Sequence, residues 1–208
     1  MISLLAACAD APQESPQPGD CPEAVVTDID ETLTTDDDEY MAQILDPSYD
    51  PAMRPDADTL MSDYGDLGYT VFFLTARGDD LTLSDGRTAR EATEDWLDDH
   101  GFDAPAERVY LADGIGALGD DATTYKAGVL EDLQGAGWTF VEAYGNATTD
   151  MDGYAAAQLD PAHTWLVGEL APDAGDWGVN PLTDEEAYTA HLPYAEEGYP
   201  EACASSTR

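Results

Sequence analysis

From residue 24 onward, five short apolar runs alternate with segments of helical periodicity, and this alternation constrains the fold more than any other feature. The runs span 24–27, 70–74, 109–111, 139–143 and 164–167. Each is brief, rich in Val, Phe or Leu, and lacks polar alternation, as expected of a strand buried on both faces. Helices are predicted between them. Residues 56–64 place Leu60, Met61 and Tyr64 on one side. Residues 88–99 carry Ala89, Ala92, Trp96 and Leu97 at helical spacing and stop before Gly101. Two further helices are expected over 124–133 and 149–159. Strands and helices in this order predict an α/β fold, a parallel sheet sandwiched between helices. No internal repeat is visible.

Charge narrows the function classes. Seven Lys and Arg stand against 45 Asp and Glu, a formal net charge of −38. A nucleic-acid ligand is excluded, because phosphate binding needs a basic face to release counterions. Docking on anionic lipid through a polybasic patch is disfavoured for the same reason. Disorder, the other common reading of high net charge, fails because 43% of the residues are apolar and arrive in strand-like runs. The cations are six Arg and one lysine, Lys126, and Asp outnumbers Glu by 30 to 15. An acidic, lysine-poor surface fits a protein that folds in concentrated salt, where screening removes self-repulsion. A saline habitat is therefore expected.

The ends differ from the middle. No apolar stretch approaches the ~18 to 20 residues of a membrane span. Leu5-Ala6-Ala7-Cys8 resembles a bacterial lipobox, which implies lipidation of Cys8 and a place in the cell envelope or secretion, although no Lys or Arg precedes the run. Pro12, Pro16, Pro18 and Pro22 then make a stiff tether, so residues 1–23 are read as leader and tether. In an oxidising compartment Cys21 and Cys203 could pair and tie the C-terminus to the first strand. Residues 171–208 are rich in Pro, Gly and acid. They are expected to wrap the main domain, 24–170, through one helix over 183–192 and the anchors Trp177, Tyr188, Tyr194 and Tyr199. Thr183 and Glu186 have capping-box spacing.

Among so many acids, Asp28 and Asp30 stand out by position. They follow the first buried strand directly, in Thr27-Asp28-Ile29-Asp30-Glu31-Thr32. In open parallel sheets ligands collect beyond the carboxyl ends of strands. Two carboxylates so placed repel each other unless a cation binds, and Mg²⁺ suits hard oxygen ligands.

At these residues the chain resembles the haloacid dehalogenase superfamily of phosphatases, whose first motif is Asp-x-Asp-x-Thr after strand one. The resemblance implies a Rossmann-like sheet, Asp28 as the nucleophile that forms an aspartyl-phosphate, and Asp30 as general acid and base. Thr75, in Leu74-Thr75-Ala76-Arg77, resembles the second motif; Thr75, Ala76 and Arg77 would bind the phosphoryl group with Lys126. Lys126 resembles the lysine of the third motif, and the chain's single lysine stands where phosphate and carboxylate need a cation. Gly145-Asn146-Ala147-Thr148-Thr149-Asp150 resembles the fourth motif. It implies Mg²⁺ ligation by Asp28, the backbone carbonyl of Asp30, Asn146 and Asp150.

Within the superfamily the nearest resemblance is to the lipin-type phosphatidate phosphatase domain, carried by Met41-Ala42-Gln43-Ile44-Leu45, Leu74-Thr75-Ala76-Arg77, Tyr125-Lys126 and Tyr144-Gly145-Asn146. Glu31 departs from it, since lipins have Gly there, and resembles bacterial acid phosphatases instead. Residues 34–56 hold only a loop-like insert, so no cap domain is expected and the site stays open. The expectation is a monomeric, Mg²⁺-dependent phosphomonoesterase acting on a phosphorylated small molecule or lipid, with a membrane tether through Cys8. A phosphatidate phosphatase and a catalytically silent ligand-binding module remain as alternatives.

Overall fold

The computed structural model of the chain describes residues 15–16, 21–36, 38–183 and 187–204. A six-stranded sheet organises it, every adjacent pair parallel. The strands are β1 (Glu23–Thr27), β2 (Thr70–Gly78), β3 (Val109–Ala112), β4 (Thr139–Gly145), β5 (Thr164–Val167) and β6 (Asn180–Leu182), in the order β3-β2-β1-β4-β5-β6. The α/β, parallel-sheet expectation holds. The helices are α1 (Asp38–Leu45), α2 (Ala57–Asp66), α3 (Ala89–Asp99), α4 (Asp120–Ala136), α5 (Thr148–Ala156) and α6 (Ala187–Glu196).

Successive strand residues face opposite layers, which is why the runs are apolar throughout. Val25, Val71 and Phe73 pack with Leu60, Tyr64 and Leu97 on one face. Val26, Phe72 and Leu74 pack with Leu130, Leu133, Met151 and Tyr154 on the other. Truncating a fully buried ring such as Phe72 to Ala should cost about 3 to 5 kcal/mol. The second expected helix is entered through a capping box, Thr88 accepting from the Glu91 backbone while Glu91 accepts from Thr88.

Two expectations need correction. Residues 34–56 are not only a loop: α1 lies within them. Its buried residues are Glu39 and Gln43, so it has no apolar stripe to be read. It is held instead by Glu39, which accepts from Thr35, Tyr49 and the Ala52 N–H. The segment after residue 170 also supplies a strand, β6. Asn-Pro-Leu carries no strand signal, and proline is tolerated there because β6 is the sheet edge. The last helix is described over Ala187–Glu196, within and beyond the expected span, and residues 184–186, Glu186 among them, lie outside the described residues.

The C-terminal residues fasten to the sheet through a buried acid. Glu142 on β4 accepts from Tyr194, Tyr199 and His163 on Oε1 and from Trp165 on Oε2, at 2.6 to 2.8 Å. Four donors satisfy a carboxylate that would otherwise be costly to bury. Cys21 and Cys203 form a disulfide with Cα atoms 5.8 Å apart. Trp177 donates to Asp152, and the buried Tyr188 donates to the carbonyl of Thr32. Cys8 lies outside the described residues. Among the described residues no helix is long and apolar enough to cross a membrane.

Candidate active site

The chain runs outward from β1 through β2 to β3 and then crosses back over β1 to β4, so the strand order reverses at β1 and makes it a switch point. The loops beyond the carboxyl ends of these strands form the crevice where such sheets bind ligands. Asp28 and Asp30 follow β1, Thr75 and Arg77 end β2, and Asn146 follows β4. Lys126 reaches the same place from α4, and Asp150 from the first turn of α5.

Lys126 lies between two carboxylates. Its Nζ donates to Asp28 Oδ1 at 2.7 Å and also to Asp150 Oδ1. All three side chains are buried. The second oxygen of Asp150 accepts from the N–H groups of Asn146 and Ala147, both at 3.0 Å, closing the start of α5. Gly145 makes this possible, because a Cβ there would stand 2.5 Å from the Asp150 Cβ. Burial alone would discharge Lys126, but Asp150 and Asp28 together outweigh it and hold the ammonium above its usual range. One ammonium cannot neutralise two acids. Burial first, then Asp150, raise Asp28 to about 7, and Lys126 offsets only part of this.

Asp30 has different partners. Arg77 Nε and Nη2 grip its carboxylate at 2.7 to 3.1 Å, and the Thr75 hydroxyl donates to it at 3.1 Å. Arg77 Nη1 is taken by Thr93 of α3, and the guanidinium lies 4.1 Å from the ring centre of Tyr40 on α1. Every guanidinium nitrogen of Arg77 thus has a protein partner, and its direct role here is to hold Asp30. The carbonyl of Ala76 accepts from the Ala117 N–H.

Asn146 completes the group. Its Nδ2 donates to Glu31 Oε2 at 2.9 Å, which turns its Oδ1 towards the Thr32 hydroxyl at 3.2 Å. The same hydroxyl is 3.0 Å from Asp28 Oδ2. One hydroxyl hydrogen cannot satisfy both acceptors at once, so Asp28 Oδ2 and Asn146 Oδ1 lie side by side as incompletely engaged hard oxygens, the donor chemistry that fits Mg²⁺. Asp150 does not offer such an oxygen, since Lys126 and two backbone N–H groups engage it. Asp28, Asp30 and Asp150 form no three-carboxylate cluster. Among the described residues Cys21, Glu23 and Cys203 are the one His, Cys or acid trio close enough to share an ion, and both sulfurs are in the disulfide.

The fold therefore brings together Asp28, Asp30, Thr75, Arg77, Lys126, Asn146 and Asp150, while Cys21 and Cys203 lie at the other end of the strands. Sequence reasoning gave no role to Thr32, Tyr40 or Thr93. Thr32 had a signal, as the last residue of Asp-x-Asp-x-Thr; Tyr40 and Thr93 had none.

A parallel sheet with a carboxylate pair beyond β1 is the arrangement expected of the lipin and haloacid dehalogenase-like phosphatase superfamily, and the family match agrees with it. Residues 25–168 match the family model for PITM 1-3, LNS2 domain, and the chain belongs to this LNS2 family. Membrane-associated phosphatidylinositol transfer protein 1 of Homo sapiens is 29% identical over 182 residues, 85% of this chain and 12% of that protein. The type 3 protein of Homo sapiens is 24% identical over 163 residues, 78% of this chain and 15% of that protein. Protein retinal degeneration B of Drosophila melanogaster is 26% identical over 175 residues, covering 83% and 12%. The chain thus spans only 12 to 15% of the length of these relatives. A solved structure of DsGPDH of Dunaliella salina aligns at TM-score 0.47 and 15% identity, over 71% of this chain and 24% of that one.

Proposed function

We propose that the domain hydrolyses a phosphomonoester with Mg²⁺, through a phosphorylated Asp28. The observation that carries this reading is the buried Asp28–Lys126 pair at the carboxyl end of β1, with Asp30 two residues on. Asp28 Oδ2, the oxygen not held by Lys126, attacks phosphorus, and the P–O bond to the leaving alkoxide breaks. Asp30, as general acid, gives the alkoxide its proton. It then takes one from the water that attacks the aspartyl-phosphate, whose cleavage returns phosphate and the Asp28 carboxylate. Lys126 holds phosphoryl oxygens and offsets the charge of Asp28. Asp28, Asn146 and the Asp30 carbonyl would hold Mg²⁺, which supplies charge neutralisation at the phosphoryl group. Asp150 serves by orienting Lys126 and the Asn146 loop.

A lipid phosphate is the substrate class we favour, since no cap domain covers the site among the described residues and the relatives are named for phosphatidylinositol transfer. Those names also favour a second reading, recognition of a lipid phosphate without turnover. Membrane proximity through a lipidated Cys8 belongs with either.

The test is an assay of soluble monoesters beside phosphatidate in mixed micelles, with Mg²⁺ or EDTA, and with Asp28→Asn as control. Mg²⁺-dependent phosphate release that Asp28→Asn abolishes is the expected result. Saturable binding of phosphatidate with no phosphate released from any substrate would replace hydrolysis by the second reading.

A further inference from the structure

Large hydrophobic side chains are exposed in two places only among the described residues, and both adjoin the mouth of the site. Met41 (51% exposed), Leu45 (79%) and Tyr49 (40%) lie on α1 and the turn after it. Ile115 (87%) and Leu118 (88%) lie on the loop between β3 and α4. The two segments meet at Arg77. Tyr40 of α1 stacks on its guanidinium, and Gly116 pairs with its backbone in an antiparallel bridge.

The β3–α4 loop is built rather than loose. Ala117 N–H donates to the Ala76 carbonyl at 3.0 Å, and Gly114 N–H to Asp79. A Cβ on Gly116 would come within 2.8 Å of the Ala76 carbonyl oxygen, and one on Gly78 would meet the loop backbone at 2.1 Å. Two glycines thus let the loop press against the end of β2, and Ile115 and Leu118 flank that fixed point facing solvent.

Charge decides what covers these side chains. Exposed acids surround them: Asp36 and Asp38 beside α1, Asp113, Asp120 and Asp121 beside the loop. Each described cation is already engaged. Arg77, Arg87, Arg90, Arg108 and Lys126 sit in ion pairs, and Arg54 donates to the carbonyls of Glu31 and Thr35. An anionic membrane meets repulsion here, and so does a second copy of this chain, which would bring two acidic collars together. A zwitterionic lipid surface complements both features, with acyl chains for the apolar side chains and an outer layer of choline ammonium groups for the acids.

We propose that Met41, Leu45, Ile115 and Leu118 form a docking rim that seats the mouth of the site on a phosphatidylcholine surface. The rim goes beyond the hydrolytic reading and does not depend on turnover.

The experiment is flotation of the full chain with vesicles of pure phosphatidylcholine. It compares wild type, Ile115→Ser/Leu118→Ser and Met41→Ser/Leu45→Ser, with melting temperature confirming the fold of each variant. Wild type should float. Each double variant should partition at least ~10-fold more weakly, since each loses two apolar side chains from the lipid. A tryptophan placed by Leu118→Trp should be quenched by brominated phosphatidylcholine beyond the native tryptophan background. Hydrolysis of soluble p-nitrophenyl phosphate, measured in parallel, should be unchanged in the rim variants. If wild type lacks that hydrolysis yet flotation follows the rim, the functional reading fails and the rim stands. Absence of flotation, flotation only with anionic lipid, or flotation unaffected by both double variants would overturn the rim. So would a wild-type dimer in solution that Ile115→Ser/Leu118→Ser dissociates.

Discussion

The amide of Asn146 donates to Glu31 at 2.9 Å across the mouth of β1 and β4, and this contact fixes which end of the amide faces Asp28. Glu31 accepts only, so it selects the NH₂ group and leaves the carbonyl oxygen for the site. Glu31, which stands where the lipin resemblance implies Gly, is thus matched by an amide at Asn146 rather than by a second carboxylate.

That pairing is testable. Asn146→Asp alone faces one carboxylate with another and should lower the melting temperature by several degrees. Glu31 has φ +53°, a left-handed conformation that suits Gly, so Glu31→Gly is tolerated by the backbone. The double variant Glu31→Gly/Asn146→Asp should recover stability relative to Asn146→Asp, a coupling of about 0.5 to 3 kcal/mol in a double-mutant cycle. Additive effects would show that the contact carries no energy.

Asp28 makes stability depend on pH. Its carboxyl is raised from 3.8 to about 7 in the folded protein, so the folded state binds a proton that the unfolded state has released. The stability linked to that proton is complete below about pH 4 and is lost as pH rises to about 7. In EDTA, Asp28→Asn should therefore gain melting temperature over wild type as pH rises from 4.5 to 8. A difference constant with pH would refute the assignment.

In the proposed hydrolysis Lys126 serves chemistry as well as the fold. Lys126→Ala leaves Asp28 and Asp150 buried without their cation and should cost about 3 to 5 kcal/mol of stability. In the fraction that remains folded, kcat/KM should fall by at least ~10²-fold. Lys126→Arg should restore charge but only part of the activity, because a planar fork does not replace a compact ammonium. Near-normal turnover by Lys126→Ala would remove Lys126 from the mechanism.

The disulfide closes a separation of 182 residues. Chain entropy assigns it roughly 5 kcal/mol. Reduction, or Cys203→Ser, should lower the denaturant midpoint accordingly. An unchanged midpoint would show that the Glu142 contacts alone hold the C-terminal segment.

At −38, self-repulsion is screened by salt. Melting temperature should rise from low to molar NaCl; a flat or falling curve would end the saline-adaptation reading.

The sequence by itself determined β1 to β5 and most of the helices, because strands buried on both faces are apolar throughout and amphipathic helices repeat on one side. It also carried the phosphatase-like motifs, since Asp28, Thr75 and Asn146 stand in or directly after the strands that present them, and Lys126 is the chain's single lysine. Only the tertiary structure decided the rest. Helix α1 buries acid and amide rather than apolar groups, and β6 is three residues held by the neighbouring strand, so neither has a local signal. Pairings such as Asn146 with Glu31, Asp150 with Lys126 and Arg77 with Tyr40 join residues far apart in the chain. Their partners are chosen by how strands and helices stack, a spatial arrangement that local spacing along the chain does not encode.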